Sequence, residues 1–169
     1  NLLVIINDIL DFSKIQAGKL TIEKIDFKLG EVIENIQSVF KNRMQEKGLS
    51  FVFTIDENIP AVLIGAPYRL NQVLTNLVGN AIKFTPAGGI TTNILLQQKN
   101  SGDIILDFII ADTGIGIEEG KINGIFESFT QASTETSRKY GGTGLGLAIT
   151  RQLLEMQKGT IAAESKINV

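Results

Sequence analysis

The sequence predicts an α+β fold, a two-layer α/β sandwich in which helices cover one face of a mixed, mostly antiparallel sheet. Three observations predict it. Segments with helical spacing and segments with strand alternation come in mixed order. The apolar runs 90–98 and 104–111 flank Asn100-Ser101-Gly102-Asp103 as an antiparallel hairpin. A chain of 169 residues suits one compact domain with a short appendage.

The elements follow in order. Residues 1–14 form a helix whose apolar residues, Leu2, Leu3, Ile5, Ile6, Ile9, Leu10 and Phe12, cover a wide face. Gly18 stops it, and its start has no capping residue, as expected of a helix that continues upstream. Residues 20–27 alternate as a strand. Residues 29–47 have helical spacing through Val32, Ile33, Ile36, Val39, Phe40 and Met44, and Gly48 ends that helix. Residues 49–55 alternate again, and Pro60 and Pro67 bracket an irregular connection. Residues 68–84 form a helix with Leu70, Val73, Leu74, Leu77, Val78, Ala81 and Ile82 on the buried side, broken by Thr85-Pro86-Ala87-Gly88-Gly89. After the hairpin a polar, glycine-dotted stretch runs to Thr143, holding one short apolar piece, 125–129. Residues 145–157 are helical and 160–165 form a last strand.

Composition excludes several chemistries. The net charge is −2 with both signs interspersed, so no basic stripe argues for nucleic acid. No apolar run is long enough to span a bilayer, and the first residues, with Asp8 and Asp11, lack a signal-peptide pattern. Without cysteine there are no disulfides or thiolate metal sites. Without histidine there is no Ser-His-Asp chemistry, and no phosphohistidine can form on this chain.

Three groups of residues point to chemistry. Asn76, Asn80 and Lys83, spaced by four and three, share one helix face opposite the apolar one. Such a stripe suits a solvated face. It also suits a site in which an asparagine carbonyl ligates Mg²⁺, a hard cation, and the lysine meets phosphate. Next, an apolar strand ends in Asp112-Thr113-Gly114-Ile115-Gly116. This is either a turn or a carboxylate that accepts a hydrogen bond from an exocyclic amine such as that of adenine, with glycines that let backbone approach a flat ring. Last, Gly141-Gly142-Thr143-Gly144-Leu145-Gly146 leads into a helix. Glycine-rich backbone at a helix start offers N–H groups to anionic oxygen. The dinucleotide fingerprint fails because Leu147 or Ile149 stands where its third glycine belongs, and Walker A fails for want of Gly-Lys-Ser/Thr. A phosphate loop of another kind, or a hinge, remains.

In this order and with these gaps, the sequence resembles the ATP-binding catalytic domain of sensor histidine kinases, in the superfamily shared with gyrase-type topoisomerases, MutL proteins and ninety-kilodalton heat-shock chaperones. Residues 69–85 resemble the N box, 112–116 the first glycine box, 125–131 the F box and 138–147 the second glycine box. Residues 3–19 look like the end of the second helix of the dimerisation and phosphotransfer hairpin, in a style seen in hybrid kinases.

The resemblance implies a Bergerat-type fold. Residues 1–19 would be the C-terminal part of a phosphotransfer helix and 20–169 an ATP-binding domain lacking its last strand, since the family continues beyond the point where Val169 ends this chain. It implies ATP and Mg²⁺ as cofactors, with Asn80 as the metal ligand and Asn76 beside the same phosphates. Lys83 would contact phosphate, Phe84 would pack near adenine, and Asp112 would take the adenine amine with Thr113, Gly114 and Gly116 beside it. Arg138 and Lys139 would lie on a lid near the terminal phosphates. Gly142, Thr143, Gly144, Leu145 and Gly146 would shape the phosphate loop. Phe126 and Phe129 would hold the lid, although core filling explains Phe126 equally well. Implied partners are a phosphotransfer histidine helix, a response regulator or fused receiver domain, and a second copy in a homodimer; the implied location is cytoplasmic.

One comparison carries mechanism. In the related ATPases a glutamate four residues before the metal-binding asparagine activates water; Asn76 stands there in this chain. An amide is not a general base near neutral pH, so the expectation is a pocket that holds ATP for an external histidine. A non-kinase ATPase module and a nucleotide-free interaction module are the rivals. The chain departs from the family pattern at Ala66, usually acidic, at Glu118, usually proline, and at Lys158-Gly159, usually paired glycines.

Overall fold

The computed structural model describes residues 2–99, 102–128 and 144–167. The chain divides into two compact units, 24–115 and the pair of segments 1–23 and 116–169.

The unit 24–115 contains most of the regular structure. Its elements are β1 (Ile25–Phe27), α2 (Leu29–Lys47), β2 (Ser50–Ile55), β3 (Leu63–Gly65), α3 (Pro67–Phe84), β4 (Gly89–Lys99) and β5 (Ile104–Asp112); α1 (Leu2–Gln16) precedes them in the other unit. β4 is the central strand of a three-stranded sheet, parallel to β2 and antiparallel to β5. The turn residues Asn100 and Ser101 of the expected hairpin lie outside the described residues. β1 and β3 form a separate antiparallel pair.

Alternation decides which sheet face is covered. Ile90, Thr92 and Ile94 on β4 are fully buried, whereas Thr91 and Leu95 between and beyond them are exposed. The buried face meets α2 and α3, whose Ile36, Leu74, Val78 and Ile82 complete one core with Ile90 and Ile94. The two helices run the same way along the sheet. Asn35 Nδ2 donates to Asn71 Oδ1 at 2.9 Å near their starts, and Lys47 reaches the Ile82 carbonyl near their ends. Fully burying one such aliphatic side chain is worth about 1.5–3 kcal/mol, so this one-sided core dominates the unit's stability.

β2 is closed by Asp56. Its N–H donates to Ile94 O at 2.9 Å. Its carboxylate accepts from the Asn58 N–H, the Asn58 side-chain amide and the Leu96 N–H, beside a bulge between Leu96 and Gln98. These donors, the Asn58 backbone N–H foremost, hold its carboxyl below the ordinary value.

The unit of 1–23 and 116–169 contains α1, α4 (Glu119–Ile122) and α5 (Gly146–Met156), with α1 packed on α5. Ile6, Ile9 and Leu10 remain exposed on α1. No helix among the described residues is long and apolar enough to cross a membrane.

Three helices end in the same hydrogen-bond pattern, in which the last turn's carbonyls accept from the two residues that follow. After α2, Gly48 N–H donates to Gln45 O and Leu49 N–H to Met44 O, both at 3.0 Å, with Gly48 at φ 63°. Gly18 does the same after α1. After α5 the left-handed position falls to Lys158, at φ 60°, with Gly159 N–H donating to Leu154 O.

Several expectations from sequence are corrected. The strand expected over 20–27 shortens to Ile25–Phe27, because only those residues find a partner, in β3. The connection between Pro60 and Pro67 is not wholly irregular, since Leu63–Gly65 forms that partner strand. Residues 160–165 join no ladder among the described residues. Ala66 begins α3 without a side-chain cap, while Glu118 pairs with Lys121 at 2.6 Å at the start of α4.

Candidate functional site

The unit 24–115 brings the end of α3 against the end of β5. Pairing of Ile90 with Asp112 puts the carboxylate on the helix-facing side of the sheet, at a strand end where the residue itself stays exposed. There, Asp112 Oδ1 accepts from the Gly114 N–H at 2.8 Å and from the Thr85 hydroxyl at 3.4 Å. Thr85 is fully buried, and its single hydroxyl proton is shared: the shorter branch goes to Ala81 O at 2.7 Å, closing the last turn of α3, and the longer one to Asp112. Ile115 N–H donates to Phe84 O at 3.2 Å. Thr113 is tied in as well: its hydroxyl accepts from the Gly89 N–H at 3.0 Å and donates to Ala87 O at 3.1 Å. Among the described residues the hydrogen bonds to the Asp112 carboxylate all fall on Oδ1, which leaves Oδ2 to accept from a ligand.

Gly114 is glycine for a steric reason. A Cβ there would lie 2.5 Å from Asp112 Oδ1 and 2.7 Å from Phe84 O. Any side chain would push the β5 end away from the helix end, so the close approach that orients Asp112 requires glycine.

The face of α3 above this corner carries the expected polar residues, all half-buried. Asn80 Nδ2 approaches Asn76 Oδ1 at 3.5 Å, so the amide nitrogen of Asn80 turns toward its neighbour and its oxygen is left as a hard donor. That donor type suits Mg²⁺. Lys83 Nζ sits 4.8 Å from the centre of the Phe84 ring. Burial, and then the charge of Arg43, hold the Lys83 ammonium below the usual lysine range. A partly desolvated cation is an unfavourable feature of the free protein that a phosphate would offset.

Lys47, in α2, was not singled out from sequence. Its ammonium donates to Ile82 O at 2.6 Å and Thr85 O at 3.1 Å, and lies 3.4 Å from Lys83 O. It thus neutralises the carbonyl end of α3 at the turn bearing Lys83 and Phe84. Nothing local in the sequence marks this role, because the carbonyls it meets lie 35 to 38 residues away. Thr85 was read as part of a helix break, and its bond to Asp112 spans 27 residues.

The remaining candidates lie in the other unit or outside the described residues. Gly116, at φ 72°, packs against the Lys166 carbonyl, and Ser165 Oγ accepts from Ile117 N–H at 2.8 Å. Gly144, at φ 71°, precedes Leu145, which is buried, and Gly146, the first residue of α5. Leu145 offers no side-chain cap to that helix start. Phe126 is half-buried in a turn after α4. Phe129, Arg138, Lys139, Gly142 and Thr143 lie outside the described residues.

Comparison with known proteins places the chain in a family. Residues 65–168 match the family of histidine kinase-, DNA gyrase B- and HSP90-like ATPases. The autoinducer 2 sensor kinase/phosphatase LuxQ of Vibrio vulnificus is 43% identical over 168 residues, covering 99% of this chain and 20% of LuxQ. Hybrid signal transduction histidine kinase L of Dictyostelium discoideum is 43% identical over 166 residues, covering 98% of this chain and 10% of that protein. The chain therefore spans a fifth or less of these relatives. The crystal structure of full-length ShkA in complex with AMPPNP superposes with a TM-score of 0.78 at 28% identity, covering 97% of this chain and 34% of ShkA. On the match over 65–168, together with the Asp112 corner and the α3 face, the chain belongs to the histidine kinase-, DNA gyrase B- and HSP90-like ATPase family and is an ATP-binding catalytic module of the sensor histidine kinase kind.

Proposed function

We propose that this module binds Mg-ATP and holds its γ-phosphate for transfer to a histidine supplied by a phosphotransfer helix. The observation that carries the reading is the bonding of Asp112 to the end of α3, the helix that also bears Asn80 and Lys83. One unit thereby offers an acceptor for the adenine amine together with a hard oxygen donor and a cation for the phosphates. Asn80 would hold Mg²⁺ through its amide oxygen; when bound, the ion supplies charge neutralisation across the phosphates. Phosphate and water oxygens would complete the ion's shell, as is usual for Mg²⁺ bound with a nucleotide. Asn76 cannot act as a base toward water. Lys83, with Arg138 and Lys139, would neutralise the phosphates, and the backbone of Gly142, Thr143, Gly144, Leu145 and Gly146 would hold them. Phe84, Thr113, Gly114 and Gly116 would border the base.

The chemistry left to the protein is then positioning and electrostatics. The wider setting is proposed on the same basis. Residues 1–19 would belong to a phosphotransfer helix whose exposed Ile6, Ile9 and Leu10 pack in a homodimeric bundle. A response regulator or fused receiver domain would take the phosphate onward, in the cytoplasm where ATP is available.

Calorimetry tests the core of this. Mg-ATP should bind the wild-type chain, and Asn80→Ala should weaken that binding about tenfold or more, about 1.4 kcal/mol, and abolish its dependence on Mg²⁺. Added phosphotransfer helix should become labelled, while ATP incubated without it should hydrolyse only slowly. Absence of binding to the wild type would overturn the reading; steady Asn80-dependent hydrolysis without an acceptor would assign the chain to the water-activating ATPases instead.

A further inference from the structure

We propose that Lys47 is a positioning residue for recognition of the base, acting through Thr85 on Asp112. The inference rests on the proposed nucleotide reading and goes beyond it, because Lys47 lies outside every motif that the reading uses. Its ammonium donates to the Thr85 carbonyl at 3.1 Å and to the Ile82 carbonyl at 2.6 Å. The Thr85 hydroxyl in turn reaches Asp112 Oδ1 at 3.4 Å. A continuous polar path thus runs from the end of α2, across the end of α3, to the carboxylate at the end of β5.

Two physical effects follow. First, the path fixes the Asp112 carboxylate. Thr85 is fully buried, and its hydroxyl is aimed by the turn that Lys47 holds, giving its proton mainly to Ala81 O and by a longer branch to Asp112 Oδ1, which also accepts from Gly114. The remaining oxygen then has one orientation toward an incoming amine. Second, Lys47 opposes the negative pole of α3. Without that charge the buried carbonyls of Ile82 and Thr85 would lose a donor, and the turn that aims the Thr85 hydroxyl would loosen.

A lysine that merely held the helices together would affect all ligands alike. A lysine that orients Asp112 affects only ligands that use its acceptor. Inosine triphosphate has the same phosphates and sugar as ATP but lacks the exocyclic amine, so it separates the two roles. Lys47→Met, Lys47→Arg and Thr85→Val would be prepared in the full 169-residue chain and studied where circular dichroism shows each folded. Affinity for ATP and for inosine triphosphate would be read by displacement of a fluorescent ATP analogue.

In Lys47→Met the preference for ATP over inosine triphosphate should fall about five- to tenfold through loss of ATP affinity alone, the scale of a weakened hydrogen bond to a charged group. Lys47→Arg should restore the preference to within about twofold, since a guanidinium can still donate to the carbonyls. Thr85→Val, which keeps shape and removes only the hydroxyl, should lower the preference similarly; it carries the test if Lys47→Met does not fold. An unchanged preference in these variants overturns the inference, and so does an equal loss for both nucleotides. Failure of the wild type to bind ATP is a different outcome: it removes the nucleotide reading itself, and this role with it.

Discussion

The glycine motifs at 112–116 and at 144–146 are built in opposite ways. At the first, polar atoms are committed within the protein: Asp112 Oδ1 to Gly114 and Thr85, the Thr113 hydroxyl to Gly89 and Ala87, Ile115 N–H to Phe84. At the second, Gly144 turns the chain at φ 71°, buried Leu145 anchors it, and α5 begins at Gly146 without a side-chain cap. Under the proposed function the first motif supplies the acceptor for a base, and its build is what such an acceptor needs. A flat base is told from others by an acceptor held in one orientation, which requires a crowded, hydrogen-bonded corner. A phosphate asks less of direction, and backbone N–H groups at a helix start can in general meet it without a side chain to aim them.

The largest effects should come from breaking the crowded corner. Asp112→Asn replaces a charged acceptor with a neutral amide and should weaken ATP by about 1.5–3 kcal/mol, the range for hydrogen bonds to charged groups, as calorimetry would show. Unchanged affinity would mean that the base is read elsewhere. Gly114→Ala tests whether the crowding is rigid. The added Cβ meets a carboxylate oxygen and a backbone carbonyl, so stability should fall by about 2 kcal/mol, a usual cost of overpacking, in urea unfolding. ATP affinity should fall with it.

Lys83 sharpens the contrast from the phosphate side. Lys83→Met should weaken ATP about tenfold, or about 1.4 kcal/mol, while leaving the preference for ATP over inosine triphosphate intact. Its pH dependence has a definite sign. The lysine's folded value is lowered, so losing its proton costs less in the folded chain than in the unfolded one, and stability rises as pH climbs through the folded value toward the ordinary one. Phosphate needs the charged form, so ATP affinity should fall over the same window in the wild type, and that fall should vanish in Lys83→Met.

The smallest effect concerns the far end of α5. Gly18 and Gly48 take the left-handed position after α1 and α2, whereas Lys158 takes it after α5. Lys158→Gly should stabilise the chain by about 0.5–1 kcal/mol, the strain of a side chain at positive φ less the extra chain entropy of glycine. A thermal melt would detect it as a small rise, and a fall would show that the lysine side chain makes up for its backbone.

Much of this was legible in the sequence because it is periodic or local. The spacing of Val73, Leu74, Val78, Ala81 and Ile82 marks the buried side of α3, and the polar face carrying Asn76, Asn80 and Lys83 follows from the same geometry. Gly18 and Gly48 announce helix ends because few other residues accept their backbone angles. Strand boundaries were less legible. Alternation reports which face is covered, not whether a partner lies alongside, so 20–27 shortened to three residues and 160–165 formed no ladder among the described residues. β3 was missed because three residues carry too little pattern to register.

For the proposed site, the sequence by itself determined the chemical inventory: a carboxylate at a strand end, amides and a cation on one helix face, and no histidine to receive phosphate. These depend on residue identity and on spacings within single elements. The tertiary structure alone decided how the inventory is held. Lys47 reaches the end of α3 across 35 to 38 residues, and Thr85 reaches Asp112 across 27. Hydrogen bonds of that span have no periodic trace, since they arise only when packing of α2 and α3 on the sheet brings three element ends together.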